Sequence, residues 1–224
     1  MPKRKMQRFA ELETFGNVLQ PKLNDIINSD YKYKGKWASD YFKNSHPVIL
    51  ELACGKGEYA IGLAEKYPEI NFIGIDIKGE RIWKGSKASI EKKLTNVAFL
   101  RSRIEYISQL FAKDEITEIW ITFPDPQPKK PNTKKRLTSP QFIKCYKEIL
   151  KPNGIIHLKT DNAGLFDYTL ETIEEGKHEL LFKTNDLYGS GINNDILSIK
   201  TYYEQIFSVK GYKICYLYFR LNRI

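Results

Sequence analysis

The sequence predicts an α/β fold built on a mostly parallel sheet. Three observations lead there. Short apolar runs alternate with stretches of helical length from residue 47 onward, as in consecutive βαβ units. The first run ends at glycines and the second at an aspartate, the layout of a strand-turn-helix-strand nucleotide site. The last run, residues 212–221, is rich in aromatics and reads as a closing strand.

The elements follow in order. VILELA at 48–53 is a short apolar run ending at glycines, which predicts a buried strand. Residues 57–66 read as a helix that Pro68 stops. INFIGID at 70–76 is the second strand, and 79–94 the next helix. NVAFL at 96–100 gives a third strand, 104–111 a short helix, and EIWITF at 118–123 a fourth strand. Ser139 is placed to cap a helix running to residue 150. Pro152 to Gly154 break that helix, and GIIHLKT at 154–160 is a fifth strand. Asp161 or Asn162 caps a last long helix, to about residue 175. Residues 185–200, rich in Asn, Gly and Ser, read as a mobile loop. Residues 1–36 are polar and basic and read as a partly disordered N-terminal arm, with 37–224 as one domain.

Composition narrows the function classes. With 42% hydrophobic and 28% charged residues in 224, the chain buries a core and is not of disordered composition. A net charge of +9 fits a polyanionic partner, nucleic acid first. No apolar run approaches the roughly 20 residues that span a bilayer. MPKRKMQRF lacks a following apolar segment, so it does not read as a secretory signal. The three cysteines and three histidines are scattered without metal-ligand spacing, so no metal site is expected. Reduced thiols in a cytoplasmic protein are the economical reading.

Two constellations carry chemistry. ELACGKGEYA places Gly55, Gly57 and Ala60 after the first strand, a GxGxxA turn that lets a ligand approach the backbone. Asp76 ends the second strand, about 20 residues on, where a carboxylate can hold a ribose diol. This much fits NAD or an adenosyl ligand, and also a turn that simply needs glycine. Glu51 favours the adenosyl reading. An unpaired carboxylate in an apolar strand is costly, and a cationic cofactor such as S-adenosyl-L-methionine offsets that cost. The alternative for Glu51 is a carboxylate satisfied by nearby backbone N–H groups.

The second constellation is FPDPQPKKPNTKKRL at 123–137. Asp125 follows the fourth strand, and Pro124 and Pro126 restrict the backbone on both sides. Five of the eight residues 129–136 are Lys or Arg and can meet phosphates. The alternative is a rigid solvated loop. Thr201 and Glu204 are three apart and also read as a capping box at a helix start.

FPDPQPKKPNTKKRL, with ELACGKG, FIGID, TDN at 160–162 and TYYE at 201–204, resembles the bacterial tRNA (guanine-N7-)-methyltransferase family. The matches run in order from about residue 48 to 221. The resemblance implies a class I S-adenosylmethionine-dependent methyltransferase (Rossmann-like) sheet, mostly parallel with an antiparallel last strand. It implies S-adenosyl-L-methionine as cofactor and tRNA, methylated in its variable loop, as substrate. It makes Asp125 the catalytic acid, with Glu51, Gly55, Gly57, Asp76, Arg103 and Asp125 at the cofactor. Lys129, Asp161, Thr201, Tyr202, Tyr203 and Glu204 become substrate contacts. Pro131, Asn132, Thr133, Lys134, Lys135 and Arg136 form the RNA-contacting loop. Four features depart from the family wording. Asp76 stands for the more frequent Glu, Arg103 for Asp and Gln127 for Trp, and 131–133 replaces a more basic stretch. An amino-group methyltransferase, with an acid or Asn before Pro-Pro-aromatic, is the nearest rival, and DPQP departs from it. A non-catalytic RNA-binding relative is the rival from another class. A cytoplasmic monomer or homodimer is expected.

Overall fold

The computed structural model describes residues 3–28, 31–192 and 195–222. The expected alternation is present. β2 (Val48–Leu52), α3 (Glu58–Lys66), β3 (Asn71–Asp76), α4 (Gly79–Glu91) and β4 (Val97–Arg101) form the first half. α5 (Ile107–Leu110), β5 (Ile116–Thr122), α6 (Pro140–Ile149), β6 (Leu150–Thr160) and α7 (Ala163–Glu175) form the second. β7 (Glu179–Thr184), α8 (Tyr202–Val209) and β8 (Cys215–Arg220) close it. With β1 (Val18–Leu19), the sheet has eight strands in the order β1-β4-β3-β2-β5-β6-β8-β7. β8 runs antiparallel to both of its neighbours, and the other pairings are parallel.

The central strands are apolar on both faces because helices cover both. Leu50, Leu52, Ile73, Ile75 and Ile121 belong to one buried cluster, and Ile49, Phe72, Phe99 and Trp120 to a second. The order reverses between β2 and β5, so the crevice at their carboxyl ends is the switch point of the sheet.

The segment 1–36 differs from the expected arm. Its described residues carry α1 (Lys3–Thr14), β1 and α2 (Leu23–Ile27). Met1, Pro2, Ser29 and Asp30 lie outside the described residues. α1 lies on α4: Leu12 is buried, Trp83 Nε1 donates to Glu11 Oε2 at 2.8 Å, and Arg8 pairs with Glu80. β1 pairs with Phe99 and Leu100 of β4. Beyond it, Trp37 is fully buried, stacks on Phe111 at 5.2 Å and donates through Nε1 to Leu110 O. A few apolar and aromatic side chains dock a segment whose average composition is that of a solvated arm.

The expected loop 185–200 is also packed where it is described; Asn193 and Asn194 lie outside. Leu187 and Leu197 are buried, and Tyr59 of α3 donates through its hydroxyl to Ile196 O. The helix expected to run to residue 150 ends at Ile149, but the strand expected from Gly154 starts earlier: β6 covers Leu150–Thr160, with a register shift against β5 between Ile116 and Glu118.

Candidate active site

The crevice is built around Glu51 on β2. Its side chain is 3% exposed. One oxygen accepts from the Ala60 amide of α3 at 2.9 Å and the other from Thr122 Oγ1 of β5 at 2.7 Å. Burial is the main cause that pushes its carboxyl up to about 8, against these two hydrogen bonds, and Glu58 and Asp76 add to the rise. The satisfied-carboxylate reading thus describes its contacts.

After β2 the chain turns through Ala53 (φ 55°), Gly55 (φ 58°) and Gly57 (φ 66°). Gly57 is the position where glycine is required. A Cβ there would lie 2.3 Å from a ring carbon of Phe99, in a left-handed backbone that already disfavours side chains. Asp76 holds this turn from β3: its Oδ2 accepts from Gly55 N and its Oδ1 from Lys78 N, at 2.9 and 2.8 Å.

Two cavities flank the turn and share Ala53. One, ≈ 250 Å³, is lined by Asp76, Ile77, Ser102, Arg103, Ile104 and Glu105. The other, ≈ 70 Å³, lies between the turn, Thr122, Phe123 and the start of α8. Arg103 is the first cavity's cation, but its guanidinium pairs with Glu105 at 3.1 Å.

Asp125 is exposed, two residues beyond Phe123 on the strand-to-loop exit. Its turn is constrained. Phe123 (φ 49°) and Gln127 (φ 46°) both have left-handed backbones, and Asp125 Oδ1 accepts from Gln127 N at 3.0 Å. The basic run folds as a 3-10 turn, Lys130–Lys135. Lys129, Lys130, Pro131, Lys134 and Lys135 are exposed, with Asn132 and Thr133 half-buried. Arg136 differs from them. Its guanidinium donates to Pro126 O and Gln127 O at 3.1 and 3.3 Å and lies 4.3 Å over the Tyr168 ring. It ties the basic turn to the Asp125 turn.

Asp161 is half-buried after β6, and burial raises its carboxyl above the usual range. Asn162, not Asp161, caps α7, accepting from Leu165 N. Thr201 and Glu204 form the capping box of α8. Tyr202 and Tyr203, exposed at its first turn, border the smaller cavity. Lys56 sits 3.4 Å over the Tyr202 ring, and Arg81 donates to Tyr203 Oη at 2.8 Å.

Sequence reasoning missed Lys159. It is fully buried beside Glu204 at 2.9 Å, and it also donates to Leu197 O and Ile199 O, both at 3.3 Å. Burial lowers its ammonium below the usual range even with Glu204 beside it. The signal was a lysine within the apolar run GIIHLKT. Among the described residues no group of three His, Cys, Asp or Glu side chains could hold a metal ion, and no helix is long and apolar enough to cross a membrane.

Comparison with known proteins gives the family. A family model described as "Putative methyltransferase" matches residues 45–217. The chain is 47% identical to the tRNA (guanine-N(7)-)-methyltransferase of Christiangramia forsetii, over 98% of this chain and 99% of the relative. It is 48% identical to the enzyme of the same name from Bacteroides thetaiotaomicron, over 99% and 87%. Among solved structures, the 16S rRNA methyltransferase KamB is similar in fold, with a TM-score of 0.61 at 12% identity, covering 79% of this chain and 88% of that one. A family match over most of the chain and near-full-length relatives at this identity leave one assignment: the chain belongs to the tRNA (guanine-N(7)-)-methyltransferase family.

Proposed function

We propose that this chain transfers the methyl group of S-adenosyl-L-methionine to N7 of a guanine in the variable loop of tRNA, giving 7-methylguanosine. Family membership supports the reaction. The observation that carries the site is the exposed Asp125 carboxylate on a constrained turn at the switch point, two residues beyond Phe123 of the smaller cavity.

The residues present suit a cationic adenosyl ligand. The carboxylates of Glu51 and Asp76 bear on the glycine turn, Glu58 beside them pairs with Lys56 at 3.7 Å, and the space that a Cβ at Gly55 would take is open. Asp76 and the Ser102–Arg103 side would hold the adenosine half, with Arg103 contributing backbone while its side chain pairs with Glu105. Glu51, Gly55 and Gly57 would hold the methionine half. When bound, the cofactor supplies a methyl on a sulfonium, and as the C–S bond breaks and the C–N7 bond forms, positive charge passes from sulfur to the guanine ring.

N7 carries a free lone pair, so no proton need leave it and no general base is required. The chain's task is orientation and a fixed electrostatic environment. Asp125 offers its carboxylate to the charge that develops on guanine, and Asp161 accepts from the base's N–H edge. Lys129 and the residues Pro131 to Lys135 meet the RNA backbone. Tyr202 and Tyr203 cover the substrate, and Thr201 and Glu204 hold the helix that carries them. The enzyme acts in the cytoplasm as a monomer or homodimer.

Asp125→Asn tests the assignment. Turnover falls by about 10²-fold, as for loss of one electrostatic contact in the transition state, with cofactor affinity retained. Unchanged turnover overturns the role of Asp125.

A further inference from the structure

Beside the site, six cations line a groove of ≈ 460 Å³ between α1 and the start of α4. Its cations are Lys5, Lys56, Lys78, Arg81, Lys84 and Arg101. Its one acid, Glu80, is held by Arg8. Lys5, Lys78 and Lys84 have no acidic partner among the described residues.

The groove is preformed. Phe9 forms part of its wall, with Arg101 4.7 Å over the ring. α1 closes tightly on α4: a Cβ at Gly79 would lie 2.6 Å from the Phe9 ring, and Trp83 donates to Glu11. Lys56 has Glu58 at 3.7 Å, and the other cations held around the depression repel each other until an anion arrives. Spread over six side chains, the cations suit several phosphates of one polymer better than a single small anion. The groove also shares Lys56 and Arg81 with the cavity under Tyr202 and Tyr203. A chain lying in it would share these two cations with that cavity.

We propose that this groove binds the sugar-phosphate backbone of the tRNA, as a second phosphate site separate from the loop 129–136. The proposal rests on the tRNA reading above. It gives the N-terminal segment a function: α1 is one wall of the substrate channel.

The double variant Lys5→Gln/Lys84→Gln tests it, because neither side chain is placed at the cofactor. Binding of an unmodified tRNA transcript is measured across salt concentrations, with KM for tRNA, cofactor affinity and thermal unfolding alongside. Removing two phosphate contacts lowers the log Kd against log salt slope by about 1.4–1.8. KM for tRNA rises, while cofactor affinity and unfolding stay at wild-type values. A slope unchanged in this variant but lowered in Lys134→Gln/Lys135→Gln overturns the groove and leaves the function standing. A wild-type chain that does not bind the transcript at any salt concentration overturns both.

Discussion

Lys159 on β6 and Glu204 on α8 form an ion pair of 2.9 Å with both side chains fully buried. The same glutamate accepts from the Thr201 amide and the Tyr188 hydroxyl, so one carboxylate joins β6, the 185–200 segment and the first turn of α8. That turn carries Tyr202 and Tyr203 over the smaller cavity. A pair buried this deeply sets position more than it adds stability, since desolvation offsets most of the attraction.

Removing one partner should therefore be severe and removing both mild. Lys159→Met is expected to destabilise by about 3–5 kcal/mol, since Glu204 is left charged and unpaired. Lys159→Met/Glu204→Leu recovers much of this loss in denaturant midpoint yet keeps a raised KM for tRNA, because the tyrosines lose their anchor. A single variant within about 1 kcal/mol of wild type contradicts the account.

Glu51 predicts a pH dependence. Its folded carboxyl is raised to about 8 from 4.5, so between these values the folded chain holds a proton that the unfolded chain has lost. Its contribution to stability therefore falls as pH rises through the window. A cationic cofactor favours the ionised form, so binding in the same window releases protons and tightens as pH rises. Calorimetry in buffers of different ionisation heat measures the release. Glu51→Gln abolishes it, and equal release in the two proteins contradicts the prediction.

Arg136 separates positioning from charge. Arg136→Lys keeps the charge but cannot reproduce the fork of hydrogen bonds to Pro126 and Gln127 or the stack on Tyr168. kcat is expected to fall by up to about 10²-fold as the Asp125 turn loosens. The salt dependence of tRNA binding changes little. In Lys134→Gln the pattern reverses, with the slope lowered by about 0.7–0.9 and kcat retained. The same response in both variants would show that Arg136 is an ordinary phosphate contact.

Gly57→Ala tests the turn itself. The added Cβ meets Phe99 and the backbone stays left-handed, so a loss of about 1–3 kcal/mol in stability is expected with weakened cofactor binding. Phe99→Leu as a second change relieves the contact but not the backbone, and recovers only part of the loss.

The central strands were legible because each is a short apolar run buried on both faces. β1 and β7 were not. β1 is two residues long, and β7, ELLFKT, is an edge strand whose three apolar residues stand in a row without alternation at exposed and half-buried positions. α1 was hidden by its charge: KRKMQRFAELET reads as polar on average, and only Phe9 and Leu12 report the face that docks. The glycine turn, both acids and the DPQP turn were readable because their residue types are unusual where they stand. Two features were not. A run of cations shows charge but not direction, so Arg136 could not be told from Lys134 and Lys135. Lys159 finds its partner 45 residues away, a distance no local pattern spans.

The most direct test of the central claim is nucleoside analysis by mass spectrometry of an unmodified tRNA transcript after incubation with the protein and S-adenosyl-L-methionine. The predicted result is 7-methylguanosine, absent when the variable-loop guanine is replaced and strongly reduced with Asp125→Asn. Methylation of an exocyclic amino group, or 7-methylguanosine formed equally without that guanine, would contradict it.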